Sequence, residues 1–118
     1  VSMATVSSHI LDSVSGDHAT GIRCQLFQLN KDSDRQLVFD VKADDEGRIS
    51  ESVEIEKANR NARFELVMHS EAYFSMHSIS NDSMVETIVI RFAMTDSHKR
   101  YHLPVMLSPH SYSAWWSS

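Results

Sequence analysis

The chain has 118 residues, of which 42% are hydrophobic and 23% charged, and its formal net charge is -5. That composition suits one domain, residues 1–118, with its own hydrophobic core, and excludes a disordered segment. Without a basic block there is no footprint for nucleic acid, and without an apolar run of about eighteen residues there is no membrane-spanning helix.

The dominant hydrophobic period is two, the signature of half-buried strands. Ile22, Cys24 and Leu26 share one face of a segment from Gly21 to Leu29. Leu37, Phe39 and Val41 then alternate with Val38, Asp40 and Lys42. Ile49, Val53 and Ile55 share a face, Phe64, Leu66 and Met68 alternate with Arg63, Glu65 and Val67, and Ile88, Ile90 and Phe92 alternate with Val89 and Arg91. Turn residues separate these runs at Ser15-Gly16-Asp17, Asn30 to Asp34, Asp44-Asp45-Glu46-Gly47, Asn59-Arg60-Asn61 and Asn81-Asp82-Ser83. Gly47 suits a tight hairpin because it adopts positive φ at no steric cost. Only Ser70 to Ile79 has helical spacing, carried by Tyr73, Phe74 and His77. The expectation is an all-β antiparallel sandwich of roughly seven to eight strands with one short helix.

The C-terminal stretch, Tyr101 to Ser118, reads as one strand, a Ser-Pro corner at Ser108-Pro109 and a second strand. Trp115 and Trp116 are adjacent, so on a strand they point to opposite faces and cannot enter the same core. One of them is expected at solvent, a partner subunit or a pocket; the plainer alternative places one tryptophan in the core and the other at its rim.

Chemistry-bearing patterns are sparse. Cys24 is the only cysteine, which precludes an intrachain disulfide and fits a reducing compartment. Flanked by Ile22 and Leu26, it reads as a buried, inert thiol. His98 and His102 would lie about 13 Å apart on an extended strand, too far to share a metal, and there is no His-Glu-x-x-His motif. No metal site is expected. No Gly-x-Ser-x-Gly turn supports a serine nucleophile. On pattern alone, His9 and His102 are strand histidines and Arg48 is a solvated residue after a hairpin turn.

The order of short motifs adds to this. Ser7-Ser8-His9-Ile10-Leu11-Asp12 with Gly16, then Gly21-Ile22-Arg23, Asp45-Glu46-Gly47-Arg48, Ala72-Tyr73-Phe74, and finally Tyr101-His102-Leu103-Pro104-Val105 with Leu107-Ser108-Pro109 run through nearly the whole chain. Together they resemble the transthyretin-related family, whose enzymatic branch is 5-hydroxyisourate hydrolase. The resemblance implies a transthyretin-like sandwich assembled as a homotetramer, a dimer of dimers, with sites in a channel at the dimer–dimer contact. It implies His9, Arg48 and His102 as the catalytic set and Arg48, Trp115, Trp116 and Ser118 as substrate-binding residues. The partner would be a small purine-derived substrate, with no cofactor. The family usually ends Tyr-Arg-Gly-Ser, where this chain has Trp115-Trp116-Ser117-Ser118. Two functions therefore stand side by side. One is opening of the hydroxyisourate lactam ring in urate catabolism; the other is a non-catalytic carrier that binds a flat aromatic ligand in the channel. No export signal is evident, which favours a cytoplasmic or peroxisomal location.

Overall fold

The computed structural model describes residues 2–30, 34–55, 62–77, 84–96 and 98–118. The turns expected at Asn59-Arg60-Asn61 and Asn81-Asp82-Ser83 lie outside those residues, as does the end of the expected helix beyond His77. Lys31, Asp32 and Ser33 lie outside them too, but that turn is closed at its ends by the Asn30 N–H donating to the Asp34 carbonyl at 2.9 Å.

The described residues form β1 (Ser2–Asp12), β2 (Asp17–His18), β3 (Arg23–Leu29), β4 (Arg35–Lys42), β5 (Arg48–Ile55), β6 (Arg63–Met68), α1 (Ser70–Met76), β7 (Ile88–Ala93), β8 (Arg100–His102), β9 (Val105–Leu107) and β10 (Tyr112–Ala114). They make a two-sheet β-sandwich with one short helix. One sheet is ordered β4-β3-β6-β7; the other is built around β1, which pairs with β5 on one edge and with β8 and then β9 on the other, with β10 beyond β9.

Two features differ from the simple alternation read in the sequence. The expected strand through Tyr101-Val105 divides at Pro104, which has no N–H to give to a ladder, so β8 and β9 are separate. Both run parallel to β1, whereas every other strand pair is antiparallel. In β4 the register slips, Leu26 facing Phe39 but Phe27 facing Leu37, so that Val38 is the extra residue of a bulge. The slip leaves Leu37 half exposed, while Val38 and Phe39 both pack on the core.

Between the sheets lie Ile10, Ile22, Cys24, Leu26, Ile49, Val53, Phe64, Leu66 and Met68, each contributing about 1.5–3 kcal/mol for a large apolar side chain. Burial pushes the Cys24 thiol up to about 12, so it stays protonated and unreactive. The expectation of a buried cysteine is met.

Asp12, at the end of β1, is a buried carboxylate. It accepts the N–H of Val14 at 2.8 Å, the N–H of Ser15 at 3.2 Å and the hydroxyl of Tyr73 at 2.9 Å. Burial alone would raise its pKa; the donors from Ser15, Tyr73 and Val14 outweigh that and hold it below the ordinary value of 3.8. The carboxylate thereby ties the turn after β1 to α1. Tyr73→Phe is expected to lower stability by about 1.5–3 kcal/mol at neutral pH, the range for a hydrogen bond to a charged group. Because the folded Asp12 pKa is depressed, this contribution is full above the ordinary carboxylate value and fades as pH falls through the folded one. Urea unfolding of both proteins across that window checks it.

Candidate active site

The turn between β4 and β5 sets the site. The Asp44 carboxylate accepts the N–H groups of Glu46 and Arg48, each at 2.9 Å, and the Asp44 carbonyl accepts the Gly47 N–H at 2.9 Å. Gly47 takes φ 70°, and a Cβ there would run into the carbonyl oxygen of Ile10, so the expected glycine turn is also a point of close backbone approach. Immediately after it, Arg48 sits directly opposite His9 in the β1–β5 ladder. On the other edge of β1, Ser7 pairs with His102 of β8. Two short pairings thus bring together residues far apart in sequence.

His9, Arg48, His102 and Trp115 line one cleft of about 370 Å³, with Leu11, Val105 and Met106 as its apolar wall. The Ser7 hydroxyl lies 2.8 Å from Nδ1 of His102. The backbone of His102 is bridged to the chain end, its N–H donating to the Ser117 carbonyl at 2.9 Å and its carbonyl accepting the Ser117 N–H at 3.0 Å. Trp115 stands edge-on to the His102 ring, centroids 5.7 Å apart. Nε2 of His9 lies 3.2 Å from Nδ1 of His18 on β2. Arg48 is half exposed, and its ion partner Glu46 is 3.7 Å away, a loose surface pair of little energy. The guanidinium is therefore open to a ligand.

Burial and the neighbouring cations favour the neutral form of both rings. Burial, then the Arg48 guanidinium and then His18 lower the pKa of His9 below the ordinary 6.5. Burial, then Arg100, Arg48 and His9 do the same for His102. A neutral imidazole beside a fixed cation can accept a proton at neutral pH while the cation faces a developing negative charge.

The other expected site residues separate. Trp116 and Ser118 line a different cleft of about 450 Å³ with Arg91, Phe92 and Tyr101. β10 ends at Ala114, so the two tryptophans lie beyond the strand. Both are exposed, at 58% and 72%, and neither enters the core. A still larger cleft, about 550 Å³ between β4 and β5, has Glu54 as the only titratable side chain among the described residues that line it. Among the described residues, no cluster of three or more His, Cys, Asp or Glu is placed to hold a metal. Nor, among them, is any helix long and apolar enough to cross a membrane.

Ser7 and His18 were not picked out from the sequence. Alternation along β1 puts Ser7 on the face of His9, two residues away. A turn that pairs Asp12 with Asp17 returns His18 opposite Leu11, diagonal to His9. Both signals were present but need the register to be read.

The geometry can be set beside known proteins. A model of the HIUase/Transthyretin family matches residues 6–116. The chain belongs to that family. Among relatives, 5-hydroxyisourate hydrolase 2 of Rhizobium meliloti (strain 1021) is 29% identical over 112 residues, covering 93% of this chain and 92% of the relative. The 5-hydroxyisourate hydrolase of Deinococcus radiodurans is 27% identical over 111 residues, covering 93% and 92%. Among solved structures, (S)-allantoin synthase superposes with a TM-score of 0.81 at 25% identity over 99% of this chain, which spans only 44% of that one. The Klebsiella pneumoniae 5-hydroxyisourate hydrolase superposes at 0.78 with 22% identity, covering 98% and 99%; at that identity the likeness speaks for the fold. The transthyretin-like sandwich expected from the sequence is the fold observed.

Within this family member, Arg48→Gln removes a positive charge that acts on both rings. The imidazole titrations of His9 and His102, followed by NMR, are expected to move to higher pH. His9 should move further, because Arg48 is the leading charge acting on it, whereas Arg100 also depresses His102.

Proposed function

We propose that this protein is a hydrolase that opens the lactam ring of 5-hydroxyisourate, working as one transthyretin-like domain in a homotetramer. The observation that carries the proposal is the meeting of His9, Arg48 and His102 in a single cleft. The names of the full-length relatives from Rhizobium meliloti and Deinococcus radiodurans support the substrate. These relatives are bacterial, which favours a cytoplasmic reaction over a peroxisomal one.

The chemistry follows from the free atoms. Nδ1 of His102 is engaged by Ser7, leaving Nε2 as the nitrogen available to a water in the cleft. In attack, the water proton passes to Nε2, its oxygen bonds to the lactam carbonyl carbon, and the carbonyl electron pair moves onto oxygen, where Arg48 faces it. On collapse the carbon–nitrogen bond breaks and the ring nitrogen takes the proton back from the His102 imidazolium. His102 is thus regenerated, with Ser7 accepting from its Nδ1–H throughout. Trp115 offers a flat face to a flat substrate, and Arg48 adds directed hydrogen bonds. Trp116 and Ser118, in the neighbouring cleft, are assigned to a subunit boundary rather than to substrate in the same protomer.

The test is the ultraviolet decay of freshly generated 5-hydroxyisourate with and without protein, alongside the solution mass. Acceleration by a tetramer is expected. His102→Ala should lower kcat by about 10²–10⁴-fold, and Arg48→Ala by about 10²–10³-fold, with folding intact. No acceleration by a folded tetramer, together with tryptophan fluorescence quenched by flat aromatic ligands, would replace hydrolysis by the carrier function.

A further inference from the structure

The His9–His18 contact has no part in the proton transfers described above, yet it is built into the fold. β2 is only two residues long, and its pairing with β1 sets His18 opposite Leu11. The Ala19 N–H donates to the Ile10 carbonyl at 2.9 Å, while the Ile10 N–H donates to the Gly47 carbonyl at 2.8 Å. Ile10 therefore holds β2 and the start of β5 end to end along one edge of β1. A Cβ on Gly47 would lie 3.3 Å from the Cβ of His18, so the two elements are in contact. The rings of His9 and His18 lie with centroids 5.3 Å apart, and 3.2 Å separates their facing nitrogens.

Two nitrogens at that distance require one proton between them. The Glu46 backbone carbonyl acts on the His9 ring in the direction of its protonated form, and a carbonyl only accepts, so it favours a ring N–H toward it. With Nε2 of His9 held against His18, the arrangement that serves both neighbours has hydrogen on Nδ1 of His9, a lone pair at its Nε2 and the shared proton on Nδ1 of His18. Arg48 faces the His9 ring from β5, Glu46 from the preceding turn and His102 from β8; Asp44 interacts with His18 by charge, and the Asp17 carboxylate accepts the His18 backbone N–H at 2.7 Å.

We propose that His18 is a positioning residue for the hydrolysis assigned above. Its Nδ1–H occupies Nε2 of His9, fixes that ring in the Nδ1–H tautomer, and so leaves His102 as the single base in the cleft. The inference rests on the hydrolase function, but the pairing itself has a readout that does not.

The experiment compares wild type, His18→Leu and His18→Asn, each first checked for thermal unfolding and solution mass. Asn keeps an N–H donor near the position of Nδ1. Imidazole ¹⁵N NMR reads the His9 tautomer, and hydroxyisourate kinetics read its use. In wild type, His9 is expected as the Nδ1–H tautomer alone. In His18→Leu its signals should move to averaged values and kcat should fall by about tenfold or more, with KM within about threefold because Arg48 is untouched. His18→Asn should restore both. An active wild type whose kcat and His9 signals are indifferent to His18→Leu overturns the proposal, as does a loss that Asn does not rescue. An inactive wild type with a fixed His9 tautomer removes the hydrolase function instead, and the catalytic part of His18 with it.

Discussion

The site depends on the register in which β5 meets β1. The Gly47 carbonyl receives the Ile10 N–H at 2.8 Å, and the next residue, Arg48, faces His9. A slip of one residue would carry Arg48 to the core side and Ile49 outward, since faces alternate at every step. The hydrophobic set of β5, with Ile49, Val53 and Ile55 buried, therefore fixes the guanidinium as firmly as any contact of its own. The Asp44 carboxylate caps the same turn, and the absence of a Cβ at Gly47 lets the two backbones meet.

On this frame the cleft is assembled from chain segments with little else in common. β1 gives His9, β5 gives Arg48, β8 gives His102 and the segment after β10 gives Trp115, while Ser7 touches His102 and His18 touches His9. Among the described residues no carboxylate lines the cleft beside Arg48; its ion partner, Glu46, stands off at 3.7 Å. An unbalanced guanidinium next to two neutral rings is a poor stabiliser of the fold, but it suits a ligand with carbonyl oxygens. The polar groups that do stabilise are elsewhere and are fully paired, as with Asp12 and its three donors.

Most of the sandwich was legible in the alternation of apolar residues, because each strand buries one face and each run of turn residues ends it. Leu37 escaped that logic, since a bulge is a property of two strands and not of one. The parallel course of β8 and β9 escaped it as well: strand direction follows from how the chain crosses between sheets, not from local period. His9, Arg48 and His102 were recognisable only through the order of motifs around them, each being unremarkable on its own strand. Trp115 and Trp116 were rightly expected to diverge, but the end of β10 at Ala114 puts both on the surface, so neither became core.

The tie between His102 and Ser117 has a practical side. Two hydrogen bonds, at 2.9 and 3.0 Å, fasten Ser117 to the backbone of His102. Anything fused after Ser118 would leave the surface one residue beyond that bridge, at the rim of a cleft. A load on that segment passes to the strand whose His102 ring lies 2.8 Å from the Ser7 hydroxyl. A change in the Trp115–Ser118 segment is therefore also a change at the backbone of His102.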